Sequence, residues 1–489
     1  VCSVARPTPY LIYGPPGTGK SVTVVEAMLQ TLLAKGADES NRILVCAPSN
    51  SATDLLVQRL SAYLSPREML RIVSYSREKD KVPSDVMRFT NYDEVEGAFV
   101  SPTVDFIKQK RVIAVTITKG GFLPNLGLEN HFSHVFMDEA GHSIEPEAIS
   151  CFLGSSSKLV ENPPVVVLAG DPKQLGPIIR SDLAKRFGLG ESLLERLSKR
   201  SLYNRNVAYN QGDMKYDERV VTKLVRNYRS HDSILKLPNS LFYENDLISC
   251  ADLFKSHSLV DWEHLPTKGF PLIFHGVQGE DKREANSPSW FNGEEARVVK
   301  DYLDLLVKDT RVNRCSAAEI GVVTPYHKQA QKLRRLLRSV GYEDCKVGSV
   351  DEFQGTERRV IIISTVRSSV QFLDFDARHQ LGFLTNPKRF NVAVTRAQSL
   401  LIVVGNPYIL ERDPHWNSLL KYCIDNGAYL GCDYNPNSTD VDDGVENVLQ
   451  RVAEMDLDDK NDDDSENDEE FVMISHLTAQ EGPAWRYEE

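Results

Sequence analysis

The sequence predicts an α/β chain built from two tandem parallel-sheet domains and closed by a disordered acidic tail. Three observations carry that prediction. Short apolar runs alternate with helical segments through the first 430 residues, as in parallel sheets covered by helices on both faces. The alternation runs once over residues 1–205 and restarts over 206–432, and at 489 residues the chain exceeds what one core can hold. Residues 433–489 are rich in Asp, Asn and Ser and poor in aromatics, a composition too polar to order itself.

In the first domain the strand candidates are Tyr10–Tyr13, Ile43–Ala47, Arg71–Val73, Val112–Thr116, His134–Met137 and Val165–Ala169. The polar stretch 76–107 reads as a small irregular insertion on the surface. In the second domain the strands are Leu272–His275, Ile320–Thr324, Val347–Ser349, Val360–Thr365 and Leu400–Val404. Helices are expected over Gly293–Leu306, Lys328–Ser339, Phe390–Thr395 and Asn417–Asn426, with a short one at 442–454 in the tail.

Composition narrows the class. With 41% apolar and 26% charged residues the chain reads as a soluble globular protein. No apolar run approaches 18 residues, so no membrane span is expected. The start, VCSVARPTPYLIYG, lacks Met and a secretory core and begins almost on a strand, so the chain reads as cut from something larger. Eight cysteines form no CxxC pair, which speaks for buried thiols in a reducing compartment and against structural zinc. The net charge of −12 is concentrated: residues 456–470 hold ten acidic side chains and one Lys. The remainder is nearly balanced, with basic stretches at Lys108–Arg111, Lys328–Arg338 and Lys388–Arg396. Net charge therefore does not exclude a nucleic-acid partner.

The motif with the most chemistry is Gly14-Pro15-Pro16-Gly17-Thr18-Gly19-Lys20-Ser21, placed between an apolar strand and a helical pattern over Val22–Leu33. This is the phosphate loop of a nucleoside-triphosphate site. Its glycines let backbone N–H groups face phosphate oxygens, and the helix start adds its positive end. Lys20 is expected on the β and γ phosphates and the Ser21 hydroxyl on Mg²⁺. Asp138 and Glu139 follow the strand His134–Met137, where they suit a Mg²⁺ ligand and a base for the attacking water. A third strand end, Gly170-Asp171-Pro172-Lys173-Gln174, places Gln174 as a γ-phosphate sensor. In the second domain Arg229 and Arg396 are candidates to stabilise charge on the transferred phosphate, and Tyr228 to stack on adenine.

GPPGTGKS, CAPSNSATD, DEAG, GDPKQLGP, LVRNYRSH, TPYHKQ, VGSVDEFQGTERRVIIISTVR and NVAVTRAQ occur in this order over residues 20–405. The set resembles the up-frameshift-like superfamily 1 RNA helicases. DEAGHSIEPE, LIFHGV, NSPSWF, LGFLTNPKRFNVAVTRA and PAWR resemble their Armitage-like branch, the Moloney leukaemia virus ten helicases. The resemblance implies two RecA-like domains and ATP with Mg²⁺ as cofactors. It supports Lys20 and Ser21 for phosphate and metal, Asp138 and Glu139 for metal and catalysis, and Gln174 for sensing. Arg229 and Arg396 become the arginines of the second domain, Tyr228 the adenine platform, and Gly355 and Glu357 a motif meeting γ-phosphate and ribose. Pro48, Ser49, Asn50, Thr116, Thr324, Pro325 and Ser349 fall in motifs lining the RNA track, where short polar groups bind the backbone without reading bases.

By the same resemblance the activity is a 5′→3′ translocase on single-stranded RNA that opens duplexes with a 5′ overhang. The implied setting is cytoplasmic P-bodies or related ribonucleoprotein granules, with Argonaute and mRNA-decay proteins as partners, in RNA silencing, mRNA decay and retroelement restriction. A monomeric core is expected. Two other classes stay open: an ATP-gated RNA-binding scaffold with little unwinding, and a superfamily 1 DNA helicase. Two departures stand out. Ser21 replaces the usual Thr, and the upstream segment with an adenine-recognising Gln is absent, so looser nucleotide binding is expected of this stretch.

Overall fold

The computed structural model describes residues 8–34, 41–128, 131–152, 163–205, 216–284, 289–309, 315–369 and 386–435. The chain forms two compact units that divide between Asn227 and Tyr228. The boundary expected at 205 moves because Val221–Lys223 returns to pair with Leu11–Tyr13 and stays with the first unit. Of the tail expected from 433, residues 436–489, including 442–454, lie outside the described residues.

The first unit is a parallel sheet of β1 (Tyr10–Tyr13), β2 (Ile43–Ala47), β3 (Met69–Arg71), β4 (Val112–Thr116), β5 (His134–Met137), β6 (Val165–Gly170) and β7 (Val221–Lys223). Their spatial order is β3-β4-β2-β5-β6-β1-β7. The strands read as continuous apolar runs because both faces are covered. In β2, Ile43, Val45 and Ala47 pack on one face with Val24, Met28 and Leu56, while Leu44 and Cys46 pack on the other with Val135 and Met137. Two helices begin just past the carboxyl ends of these strands, α1 (Lys20–Leu33) after β1 and α2 (Asn50–Leu60) after β2.

Two expectations change here. The strand expected at Arg71–Val73 lies at Met69–Arg71. The ladder stops there because the Val73 N–H is taken by the Asn91 side chain. Arg71 is fully enclosed yet paired, its Nε donating to Asp54 at 3.0 Å. The stretch 76–107 is no surface appendage: Val82, Val86, Phe89 and Phe99 join the same core as α1 and α2. Its apolar residues are too sparse to show a period, but Val82, Val86, Phe89, Phe99 and Ile107 are buried by tertiary contact.

The second unit is a parallel sheet of β8 (Leu272–Gly276), β11 (Ile320–Val323), β12 (Lys346–Gly348), β13 (Arg358–Ser364), β14 (Ala397–Gly405) and β15 (Tyr429–Gly431). A hairpin of β9 (Asp281–Arg283) and β10 (Trp290–Asn292) stands beside it. The sheet order is β12-β11-β13-β14-β8-β15. Its helices include α3 (Asp232–Phe242), α4 (Gly293–Lys308), α5 (His327–Ser339), α6 (Pro387–Val394) and α7 (Pro414–Asp425). Val299, Leu303 and Leu306 of α4 and Leu333 and Leu337 of α5 close one face of the sheet.

Some residues of the basic stretches bond to backbone within the fold. Lys110 Nζ donates to Pro66 O, Arg111 to Leu32 O, and Arg334 to Val347 O. Cys46, Cys151, Cys315, Cys345 and Cys423 are buried free thiols, as expected. Among the described residues no helix is long and apolar enough to cross a membrane.

Candidate nucleotide and nucleic-acid site

The order β5-β6-β1 places three strand ends side by side at the carboxyl lip of the first sheet, where ligands of open α/β sheets bind. From β1 the chain enters the loop Gly14–Gly19 and then α1. Gly17 and Gly19 have φ of 68° and 78°, which side-chain-bearing residues rarely adopt. A Cβ on Gly14 would lie 2.8 Å from Lys20 Cβ, so that glycine makes room for the lysine stem. The Thr18 hydroxyl donates to Pro15 O at 2.7 Å and Gly14 N to Gly170 O at 2.9 Å, closing the loop on itself and on β6. No side chain caps α1 and no acidic residue stands in its first turn. Its leading N–H groups therefore suit a phosphate.

Lys20 Nζ lies 3.0 Å from Glu139 Oε1. Burial alone would lower the lysine pKa, but the carboxylates of Glu139, Asp138 and Asp171 outweigh it and the net shift is upward. The Ser21 hydroxyl donates to Asp138 Oδ2 at 2.7 Å. Burial and neighbouring Glu139 raise the Asp138 pKa, against the pull of Lys20 and Ser21. Hydroxyl and carboxylate at this separation form a hard oxygen pair of the type Mg²⁺ takes, so the residues present fit that ion. Glu139 has φ 52°, a left-handed conformation uncommon outside Gly and Asn, and residues held this way cluster at functional sites. After β6, Asp171 accepts from Lys173 N at 2.9 Å and from Gln174 Nε2 at 2.6 Å. The side chain of Gln174 is thereby fixed beside the strand end.

On the same lip, Ala47 of β2 pairs with Thr116 of β4, which sets Pro48, Ser49 and Asn50 beside Thr116. The Ser49 hydroxyl caps α2 by accepting from Ala52 N at 3.2 Å. Asn50 Oδ1 accepts from Arg71 Nη2 at 2.7 Å.

In the second unit the structure gathers four of the residues predicted from motifs. Arg229 Nε donates to Glu357 Oε2 at 2.5 Å, and its Nη1 to Thr395 O at 3.0 Å. Arg396 is 2% exposed and donates to Val392 O at 2.9 Å and to Thr395 Oγ1 at 3.2 Å. Burial would raise the Glu357 pKa, but Arg229 overrides it and holds the carboxyl below its usual range. Tyr228 is 56% exposed, with its ring available for stacking. Gly355 sits at φ 71° in the turn before Glu357. Thr324 and Pro325 follow β11 and Ser349 follows β12. Thr324 is fully buried, and its hydroxyl has no partner among the described residues. Ser349 caps a short helix by accepting from Glu352 N at 3.2 Å. The Ser349 hydroxyl therefore serves the fold.

Two family models described as AAA domains match this chain, one over residues 3–102 and 90–182 and the other over 189–408. The putative helicase MOV-10 of Gallus gallus is 46% identical over 90% of this chain and 47% of its own length. The RNA helicase Mov10l1 of Homo sapiens is 49% identical over 88% of this chain and 34% of its own. The probable RNA helicase armi of Drosophila melanogaster is 38% identical, covering 88% and 38%. The chain belongs to the MOV-10 and Armitage-like helicase family. It spans less than half the length of these relatives.

Within this helicase scaffold the structure adds residues that sequence reasoning missed. Asn227 Nδ2 donates to Pro16 O at 2.7 Å and holds the crest of the phosphate loop from a point 211 residues away. Asp54 joins Arg71 and Arg77, at 3.0 and 2.6 Å, and so orients Asn50 from behind. In the second unit His231, Asp232 and His257 bring ligand-type atoms within 4.8 Å of one another. There His231 Nδ1 already accepts from Ser233 N at the start of α3.

Proposed function

We propose that this chain is the motor of an ATP-dependent RNA helicase that moves 5′→3′ on single-stranded RNA. The observation that carries the reading is the pair of contacts at the first lip: Lys20 on Glu139 and Ser21 on Asp138. Each pairs a group suited to binding the nucleotide with a carboxylate suited to hydrolysis. On ATP binding Lys20 turns from Glu139 to the phosphates, and Glu139 becomes free to accept a proton from water. Ser21 and Asp138 would hold Mg²⁺, which when bound would neutralise charge on the phosphate oxygens. Gln174 reports the γ-phosphate. In the proposed cycle Glu357 releases Arg229 to reach that phosphate when ATP is bound, and Arg396, enclosed by Val392 and Thr395, holds the backbone beside it in place. Alternating grip by Ser49, Asn50 and Thr116 on one unit and the turns at Thr324, Pro325 and Ser349 on the other then moves the RNA.

The RNA preference is supported by family membership and by the names of Mov10l1 and armi. Polarity, P-body location, Argonaute and mRNA-decay partners, and roles in silencing and retroelement restriction rest on the motif resemblance. Co-precipitation and localisation of the full-length protein test them. For the motor, Glu139→Gln is assayed for ATP turnover, RNA retention and strand displacement from 5′- and 3′-overhang duplexes. Turnover is expected to fall by on the order of 10³-fold while ATP-dependent RNA retention persists. Unchanged turnover removes Glu139 from the role, and stimulation by DNA in preference to RNA overturns the RNA assignment.

A further inference from the structure

Helix α4 opens with a cap whose acidic member looks elsewhere. Asn292 accepts from Glu294 N and Glu295 N at 3.1 Å each. A Glu at this third position ordinarily turns back to the backbone N–H of the cap residue. Here that N–H donates to Gln329 Oε1 at 2.9 Å. Glu295, fully buried, reaches across to the end of β13 instead. Val366 N lies 2.9 Å from both its carboxyl oxygens, and the Ser364 hydroxyl donates to it at 2.6 Å.

What Glu295 holds is an unfavourable turn. Val366 has φ 75°, the left-handed region, where a β-branched side chain is strained. The residues after it are gripped in series. Asn292 Nδ2 donates to Val366 O and Ser368 Oγ at 3.2 Å each. Arg367 pairs with Asp281 of β9, and the Ser369 hydroxyl donates to the same carboxylate at 3.1 Å. The Arg367 guanidinium lies 4.4 Å from the Trp290 ring centroid. A strained turn persists only where its surroundings over-determine it, and this one is tied at every residue from 364 to 369.

The turn also lies in a telling place. Strands β12, β11 and β13 are adjacent and parallel. Their carboxyl ends therefore form one lip, with Ser349, then Thr324 and Pro325, then Thr365 to Ser369. The first three belong to the proposed RNA track. Ser368 and Ser369, bonded to Asn292 and Asp281, remain partly exposed on this lip.

We propose that Glu295 is a positioning residue of the RNA track, which holds Val366 left-handed so that the turn from Val366 to Ser369 meets the sugar–phosphate backbone of single-stranded RNA. This rests on the RNA-motor reading. Burial pushes the Glu295 carboxyl up to about 8, against the hydrogen bonds that favour its charge. It therefore keeps its proton at neutral pH, and Gln is a close replacement.

The test measures binding of a labelled single-stranded oligouridine, the RNA concentration for half-maximal ATPase stimulation, and turnover at saturating RNA. It compares wild type, E295A, E295Q, V366G and E295A/V366G. E295A is expected to weaken RNA binding at least tenfold and raise the half-maximal RNA concentration in step, with a smaller effect on saturated turnover. E295Q should stay within about threefold of wild type. Because V366G removes the strain that Glu295 offsets, adding E295A to it should cost less than a further twofold. Unchanged RNA affinity in E295A, equal loss of affinity and saturated turnover, or fully multiplicative losses in the double variant overturns the proposal. If E295A does not fold, S368E decides, because a carboxylate placed on the turn repels the phosphate backbone: weaker RNA binding supports the proposal and wild-type binding overturns it. Wild type that does not bind the RNA at all sinks the motor reading instead.

Discussion

At the carboxyl lip of the first sheet, Lys20 faces Glu139 and Ser21 faces Asp138. At the lip of the second, Glu295 is enclosed by Ser364 and Val366, and at the amino edge of that sheet Arg396 is enclosed by Val392 and Thr395. Both lips crowd polar side chains at strand ends, but the first leaves partners that a phosphate and a cation can take over. The second uses its polar groups to fix backbone. Arg229 is the exception in the second unit: its partner Glu357 is 44% exposed at the side chain and can be exchanged. The comparison separates residues that change partners during a cycle from residues that set the geometry in which others do.

Arg229 and Arg396 put that separation to its hardest test. R229A is expected to lower RNA-stimulated ATP turnover by on the order of 10³-fold with little change in thermal unfolding. R396A should lower turnover and also destabilise, since a buried guanidinium and its oxygen partners are lost. Equal unfolding temperatures for the two variants would erase the distinction. Next in size is Arg71, where R71M leaves Asp54 with one cation in place of two and frees Asn50. A loss of about 3 kcal/mol is expected in denaturant unfolding, and RNA affinity should fall while ATP affinity holds.

A third effect is set by pH. Folded Glu295 keeps its proton up to about pH 8, whereas an unfolded carboxyl loses it near 4.5. The folded state thus binds more protons across that window, and its stability contribution falls as pH rises from about 4.5 to 8. E295Q should flatten this slope in denaturant titrations, and an unchanged slope would place the charge elsewhere. The smallest effect is N227A. Losing one buried hydrogen bond to the phosphate loop costs about 1–2 kcal/mol, seen as a rise of roughly tenfold in the ATP concentration for half-maximal turnover.

What could be read in the sequence was whatever is local. The loop Gly14–Ser21, Asp138-Glu139 and Asp171–Gln174 each come directly after an apolar strand, so spacing alone announces them. Elements that depend on distant partners were hidden. Val221–Lys223 becomes a strand only because it meets Leu11–Tyr13 some 210 residues earlier. Arg71 reads as a strand boundary until Asp54 neutralises it, and the apolar residues of 76–107 have no period because they plug a core built by others. Glu295 looks like an ordinary helix-opening acid. Its reach is visible only when Val366, 71 residues on, is placed against it. The Arg229–Glu357 pair was approached through resemblance, since neither residue type nor spacing links them.

The Lys20–Glu139 contact has a consequence for selectivity. A lysine whose charge is already answered attracts passing polyanions weakly, among them the nucleic-acid strand of the proposed motor. A triphosphate seated in the loop would release that lysine by offering it several phosphate oxygens in place of the one carboxylate of Glu139, while a divalent metal on Ser21 and Asp138 would offset the remaining charge. In the proposed motor the pocket would thereby favour metal-loaded triphosphates before any base or sugar is inspected.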